Sequence, residues 1–260
     1  MNQLEDAIRA LLGPEDTRPM VVYEETDSTN VRLKELALQG APQGTVAVAL
    51  RQTGGRGRRG RSFWSPPGGL YLSLLLRPER NIRELMTLTA FSAVAVRRAI
   101  LRATGLDTGI KWTNDLVAGG RKLCGIATEL NVAADGQVRF AVIGVGVNVN
   151  TRDFPEELRE VATSVFRETG SEASLAELAA AEIRELSAFP GEPGWLKEYE
   201  DHCLTLGRDV MLVRGEERRR GHALGLTEDA ALRVRFEDGT LGVVESGEVS
   251  VRGLCGYVDP

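Results

Sequence analysis

The sequence predicts an α+β fold, in which helices pack on a mixed β-sheet and a small β-barrel follows at the C-terminus. Two observations support this class. Apolar strands and helices with core-facing periodicity share the first two hundred residues, whereas short strands separated by turn-like segments follow Gly207. We therefore place a domain boundary near residue 205, with a larger domain of residues 1–205 and a small domain of residues 206–260.

The first half of the larger domain can be divided into elements in chain order. A short strand over residues 21–23 is followed by a polar segment that can cap a helix over residues 31–38. Residues 45–50 form a β-branched strand, and residues 70–77 form another strand after a Pro-Gly break. Apolar residues at helical spacing predict a core helix over residues 85–101.

The remaining elements follow from the same patterns. Strands are expected around residues 108–112, 123–132 and 138–149, and the last two form a hairpin across Asp135-Gly136. Residues 155–204 are expected to be helical. The small domain has five predicted strands, at residues 210–213, 220–225, 232–236, 241–244 and 249–252.

The composition excludes several classes of protein. The chain is 42% hydrophobic and 27% charged, as in globular proteins. No apolar run approaches the ~20 residues of a membrane helix, and the N-terminus lacks the apolar segment of a signal peptide. The three cysteines lie far apart without metal-ligand spacing, as expected in a reducing compartment. We expect a cytoplasmic protein with no membrane partner.

One loop differs from the acidic remainder of the chain. The formal net charge is −5, yet residues 51–61 contain no acidic side chain and hold Arg51, Arg56, Arg58, Arg59 and Arg61. Glycines between these arginines let the backbone approach an anion, and guanidinium groups bind phosphate or carboxylate in a bidentate manner. The loop is therefore expected to clamp a phosphate or a carboxylate.

Two common nucleotide-binding motifs nearly fit this loop. Gly55, Gly57 and Gly60 match the GxGxxG pattern, and the same loop is close to a P-loop sequence. Both motifs require a helix directly after the loop, because the helix N-terminus binds the phosphate. Pro66 and Pro67 prevent such a helix. Neither motif is assigned.

Four segments, in the right order, resemble the motifs of biotin protein ligases. The arginine and glycine loop followed by Phe63-Trp64-Ser65-Pro66 is similar to that family's GRGRxGR…SP signature. The resemblance extends from about residue 22 to the C-terminus, with Thr113 where the family usually has proline. The other segments are Asp27-Ser28-Thr29-Asn30, Lys111-Trp112-Thr113-Asn114-Asp115-Leu116 with Lys122-Leu123-Cys124-Gly125-Ile126, and Ile143-Gly144-Val145-Gly146-Val147-Asn148.

The resemblance implies a biotin/lipoate ligase-like catalytic domain with an SH3-like C-terminal barrel. It also implies two half-reactions. Biotin and ATP, with Mg²⁺, give biotinoyl-5′-AMP, and a lysine of the biotin carboxyl carrier protein of acetyl-CoA carboxylase then accepts the biotin. About twenty residues precede the first strand, which is too few for a helix-turn-helix. We expect the short form without specific DNA binding; a homodimer is compatible with it.

The resemblance also assigns candidate site residues. Lys122, on an otherwise apolar strand, and Arg58 are implied to be catalytic. Biotin would be bound by Ser28, Thr29, Asn30, Gln52, Arg56, Gly57, Arg58, Lys122 and Gly125. The nucleotide would be bound by Arg61, Phe63, Trp64, Asn114, Asp115, Asn148 and Arg252, with Asp115 also a candidate Mg²⁺ ligand. Either aromatic ring of the Phe63-Trp64 pair could cover the nucleotide.

Two alternatives remain open at this point. A nucleic-acid-binding module could use the arginine loop on phosphates, although such modules are usually basic and this chain is acidic. A lipoate–protein ligase-like acyl-adenylate transferase would share the scaffold and the adenylate chemistry. The arginine-rich glycine loop favours biotin over lipoate.

Overall fold

The computed structural model describes residues 3–57, 62–78, 85, 87–189, 193–214, 216–245 and 248–251. Its centre is a seven-stranded sheet in the order β1-β2-β3-β7-β6-β5-β4. Strands β1 and β2 run parallel and every other neighbouring pair in this sheet is antiparallel. The strands are β1 (Met20–Tyr23), β2 (Val46–Ala49), β3 (Leu70–Leu76), β4 (Gly109–Lys111), β5 (Asp115–Ala118), β6 (Arg121–Val132) and β7 (Val138–Val147).

Helices cover the two faces of this sheet unequally. Side chains of alternate strand residues point to opposite faces, so each strand contributes to two layers. Apolar residues of α1, α3 and α5 form the main core with one face. On the other face, Leu33 and Ala37 of α2 pack against Ala47, Leu75 and Val142. The helices are α1 (Gln3–Leu12), α2 (Thr29–Leu38), α3 (Leu88–Thr104), α4 (Val165–Thr169), α5 (Leu175–Ser187) and α6 (Trp195–His202).

A second sheet follows α6 and confirms the predicted group of short C-terminal strands. Its five antiparallel strands lie in the order β11-β10-β9-β8-β12. Buried residues of this sheet, including Val210, Ala223 and Leu232, join the same hydrophobic cluster as the helices of the first sheet. The boundary near residue 205 stays a prediction. The strands are β8 (Asp209–Arg214), β9 (Glu217–Leu226), β10 (Leu232–Phe236), β11 (Leu241–Val244) and β12 (Glu248–Val251).

Trp112 connects the two sheets. Its indole nitrogen donates a hydrogen bond of 2.9 Å to the carbonyl of Ala230, in the turn between β9 and β10. Its main-chain nitrogen donates to the Thr205 hydroxyl at 2.9 Å, and the Tyr199 hydroxyl donates to the Thr113 carbonyl at 3.1 Å. The C-terminal part of the chain therefore holds the segment that leads from β4 into β5.

Most predicted elements are confirmed, but several bounds differ, and the predicted helical region 155–204 consists of separate helices, of which α4, α5 and α6 are the longest. No strand was predicted between residues 112 and 123, but Asp115 begins the short strand β5 there. The helix α2 begins at Thr29, two residues earlier than predicted, so that Thr29 and Asn30 lie in its first turn. The core helix α3 runs to Thr104 because Gly105 ends it with a left-handed φ of 72°. None of the helices in the described ranges is long and apolar enough to cross a membrane.

Candidate active site

A pocket opens on the face of the seven-stranded sheet that carries α2. The space within its walls is about 460 Å³, part of which is open solvent. The N-terminus of α2, the loop after β2, and strands β6 and β7 provide most of its walls. The predicted biotin-binding residues that the structure describes all line this pocket: Ser28, Thr29, Asn30, Gln52, Arg56, Gly57, Lys122 and Gly125. Phe63 and Asn114, from the predicted nucleotide set, line it as well.

Two glycines of β7 form part of the pocket floor. A Cβ atom on Gly144 would lie only 2.2 Å from Oδ1 of Asn30. A Cβ atom on Gly146 would lie 2.7 Å from Cε1 of Phe63. Glycine at these positions therefore lets the amide and the aromatic ring lie directly on the strand.

Gln52 organises the N-terminus of α2 at one end of the pocket. Its Oε1 accepts hydrogen bonds from the main-chain nitrogen of Thr29 at 2.8 Å and from the Thr29 hydroxyl at 3.1 Å. Its Nε2 lies 3.2 Å from the Ser65 hydroxyl. Ser28 occupies the N-cap position, but its side chain makes no capping hydrogen bond. Hydroxyl and amide groups are thus concentrated where the helix N-terminus meets the pocket.

Lys122 provides positive charge at the opposite end. Its Nζ lies 2.8 Å from Oδ1 of Asp115 and 5.6 Å from the centre of the Phe63 ring. Asn114 is anchored by a 2.8 Å hydrogen bond from its Nδ2 to the carbonyl of Ile126. An ammonium group held between a carboxylate and an aromatic face is positioned before any ligand arrives. This arrangement suits a reaction that develops negative charge.

Sequence comparisons agree with this geometry. The sequence model of the Biotin/lipoate A/B protein ligase family matches residues 22–148. The bifunctional ligase/repressor BirA of Bacillus spizizenii is 34% identical over 90% of this chain and 75% of its own length. The chain is a member of the biotin protein ligase family.

Other biotin protein ligases extend the comparison. The biotin--[acetyl-CoA-carboxylase] ligase of Paracoccus denitrificans is 31% identical over 89% of this chain and 93% of its own. The solved structure of the Aquifex aeolicus biotin protein ligase in complex with biotin and ATP has a TM-score of 0.76 and 33% identity. That alignment covers 90% of this chain and 98% of the Aquifex chain.

The structure separates the two adjacent aromatic candidates of this biotin protein ligase. Phe63 lines the pocket beside Lys122. Trp64 is not among the lining residues and packs instead on Phe154, with ring centres 5.5 Å apart. Its side chain remains 36% exposed. Of the two rings, Phe63 is therefore the one placed to contact a ligand in this pocket.

Asn148 lies just after β7 and outside the pocket lining. Its Nδ2 donates a 3.0 Å hydrogen bond to the carbonyl of Thr163. Its Oδ1 is buried and has no hydrogen-bond partner among the described residues. A buried acceptor without a donor costs free energy unless something satisfies it. The structure does not bring Asn148 to the pocket, and its contact with the nucleotide stays a prediction.

Three predicted residues, Arg58, Arg61 and Arg252, lie outside the described ranges, and their roles stay predictions. Two further residues, Ser73 and Glu129, contribute to the site by hydrogen bonds to Asn30 and were not predicted from the sequence. Neither belongs to a recognisable motif. Their part in the site depends on pairing between distant strands, which no local pattern reveals.

Proposed function

We propose that this enzyme activates biotin with ATP to biotinoyl-5′-AMP and then transfers biotin to a lysine of the biotin carboxyl carrier protein of acetyl-CoA carboxylase. The observation that supports the proposal best is the gathering of the predicted biotin residues and Lys122 around one pocket. The acceptor is inferred from relatives named as acetyl-CoA-carboxylase ligases. We place the reaction in the cytoplasm, without a DNA operator as partner.

The two ends of the pocket correspond to the two ends of biotin. The polar ureido ring would lie against the N-terminus of α2 and Gln52, and the carboxylate would approach Lys122. In the first step, a biotin carboxylate oxygen attacks the α-phosphorus of ATP and pyrophosphate leaves. Lys122 would stabilise the negative charge that develops on the phosphate oxygens. In the second step, the acceptor amine attacks the biotinoyl carbonyl and AMP leaves.

Asp115 is the residue that fits Mg²⁺. The described residues contain no group of three or more His, Cys, Asp or Glu that could hold a metal. Mg²⁺ often binds through one or two carboxylates together with substrate phosphates, so a single aspartate beside the triphosphate is sufficient. When bound, Mg²⁺ would offset the charge of the phosphates. Asp115 would then both orient Lys122 and contribute one oxygen ligand.

Asn148 is proposed to contact the adenine. The exocyclic amine of adenine is a hydrogen-bond donor, and the Oδ1 atom of Asn148 is a buried acceptor without a partner in the described part of the chain. The bond from Nδ2 to Thr163 fixes the amide so that this oxygen points away from the Thr163 carbonyl. Because this oxygen is buried and outside the pocket lining, adenine would reach it only if neighbouring side chains move when ATP binds.

The proposal is tested by incubating the protein with Mg-ATP and biotin and analysing the retained small molecules by mass spectrometry. We expect biotinoyl-AMP to remain bound and pyrophosphate to be released. Lipoate in place of biotin is the control for the alternative acyl-adenylate transferase. Retention of lipoyl-AMP without biotinoyl-AMP would contradict the proposal. Addition of a biotin carboxyl carrier domain should then yield the biotinylated carrier and AMP.

The glycine floor leads to a further prediction. In Gly146→Ala the new methyl group would displace the Phe63 ring, because a Cβ atom lies 2.7 Å from that ring. We expect adenylate formation to slow by roughly 10–100-fold, since small misplacements of contacting groups have large effects on rate. Gly225→Ala on β9 is the matched control, because a Cβ atom there meets nothing within 4 Å. Equal rates for the two variants would show that Phe63 plays no part.

A further inference from the structure

We propose that Glu129, held in place by Lys34, is a positioning residue that fixes the orientation of the Asn30 amide and so makes the pocket select a hydrogen-bond donor. The inference rests on the proposed biotin site beside Asn30. Neither Glu129 nor Lys34 lines the pocket. Both act through Asn30.

Asn30 is buried beneath the first turn of α2, with 5% of its surface exposed. Its Nδ2 donates to Oε1 of Glu129 at 2.8 Å and to the carbonyl of Ala127 at 3.4 Å. Its Oδ1 lies 2.6 Å from the hydroxyl of Ser73. All hydrogen atoms on the amide nitrogen are therefore used by groups of β6.

Glu129 decides which end of the amide faces β6. An asparagine amide turned by 180° has nearly the same shape but exchanges its donors and its acceptor. The Ser73 hydroxyl can donate or accept, so it tolerates both orientations. An ionised carboxylate only accepts, and it therefore requires the amide nitrogen on its side. With Glu129 ionised, Oδ1 must point toward Ser73.

Lys34 forms an ion pair with Glu129 and helps to keep it ionised. Its Nζ lies 2.6 Å from Oε2 of Glu129, and it follows Asn30 by one helical turn on the same face of α2. Burial raises the pKa of Glu129, but the hydrogen bonds from Lys34 and Asn30 outweigh it, so the pKa lies below its ordinary value. The carboxylate is thus charged at neutral pH, and the ion pair with Lys34 holds it in place beside Asn30.

The fixed amide determines what the pocket offers to a ligand. Because both N–H groups of Asn30 are engaged, the amide can present only its oxygen, which is an acceptor. A ureido N–H of biotin would supply a second donor beside the Ser73 hydroxyl, whereas an acyl ring without N–H groups would leave one lone pair of the oxygen without a donor. Sites that hydrogen-bond a particular donor discriminate strongly against analogues that lack it. Glu129 would therefore contribute to substrate selection without touching the substrate.

The test compares Glu129→Leu, Glu129→Gln and Lys34→Met with the control Glu35→Leu, a half-exposed residue of α2 that pairs with Arg32. For Glu129→Leu we expect the KM for biotin to rise by roughly 10–100-fold, as for other lost hydrogen bonds to charged groups. The KM for ATP, and kcat at saturating biotin, should not change. Glu129→Gln should retain much of the affinity, because its carbonyl can still accept from Asn30. Lys34→Met should lie between wild type and Glu129→Leu.

A second readout is the ratio of kcat/KM for biotin to that for biotin methylated on a ureido nitrogen. The ratio should fall in Glu129→Leu and remain at the wild-type value in Glu35→Leu. Asn30→Ala separates the two proposals. An unchanged KM for biotin in Asn30→Ala would overturn the proposed biotin site itself. If Asn30→Ala raises the KM for biotin and Glu129→Leu does not, the positioning role is overturned. It is also overturned if Glu129→Leu lowers kcat and raises the KM for ATP as well as the KM for biotin.

Discussion

Replacing Lys122 with methionine should nearly abolish formation of biotinoyl-AMP while leaving the protein folded. The Lys122 ammonium lies between the Asp115 carboxylate and the Phe63 ring at the pocket. Removing a preorganised group that stabilises transition-state charge typically costs about 10²–10³ in rate. Methionine keeps the length and apolar character of the side chain, so packing on Phe63 is largely retained. The fall in rate can therefore be attributed to the missing positive charge and not to altered packing.

The two half-reactions can be measured separately. Pyrophosphate release from biotin and Mg-ATP reports the first step, and transfer from preformed biotinoyl-AMP to a carrier domain reports the second. We expect Lys122→Met to slow both. Lys197→Met is the matched control, because Lys197 is an exposed lysine of α6 that pairs with Asp201. Pyrophosphate release at the wild-type rate from folded Lys122→Met would refute the assignment.

The second large effect is expected on the free energy of unfolding, through Glu182. Glu182 of α5 is completely buried, and neither of its carboxyl oxygens has a hydrogen-bond partner among the described residues. Burial raises the pKa of Glu182 well above its ordinary value. The folded protein therefore keeps a proton on Glu182 that the unfolded chain releases above a pH of about 4.3. Between a pH of about 4.3 and the raised pKa of Glu182 in the folded protein, the folded state binds more protons than the unfolded chain. The free energy of unfolding therefore falls as the pH rises through this interval.

Glu182→Gln should remove this pH dependence, because glutamine does not titrate. We expect the variant to match the wild type near pH 4 and to be more stable at pH 8. Glu182→Leu should add about 1–3 kcal/mol by removing the unpaired polar group. Urea unfolding between pH 4 and 8 measures both effects. Glu177→Gln, an exposed position on the same helix, is the control. Parallel pH profiles for wild type and Glu182→Gln would contradict the prediction.

The sequence was informative where structure follows from short-range pattern. The strands β3 and β7 and the helix α3 were predicted because long apolar runs have clear periodicity. The strand β5 was missed because it has only four residues and follows a polar, turn-like segment. The order of the central sheet was not predicted, since pairing between distant strands leaves no local signal.

In the candidate site, too, short motifs predicted some residues, whereas others depend on contacts between distant parts of the chain. Motifs identified Lys122 and Gln52, and the structure places both at the pocket. Sequence could not choose between Phe63 and Trp64, because adjacent residues in an irregular loop can point either way. The choice follows from the contact of Phe63 with Gly146, a residue far along the chain. The positioning contacts of Glu129 require β6 and α2 to be adjacent, which only the folded molecule shows.

The pairing of β3 with β7 has a consequence for how the molecule forms. Leu70 pairs with Val147 at the centre of the sheet, although α3 and three other strands separate them along the chain. Closing so long a loop has an entropic cost that is repaid only when the strands meet. Contacts of such high sequence separation raise the contact order and slow folding. A nascent chain that still lacks β7 has no strand on which the Asn30 and Phe63 side chains can pack, so the pocket cannot form before β7 has joined the sheet.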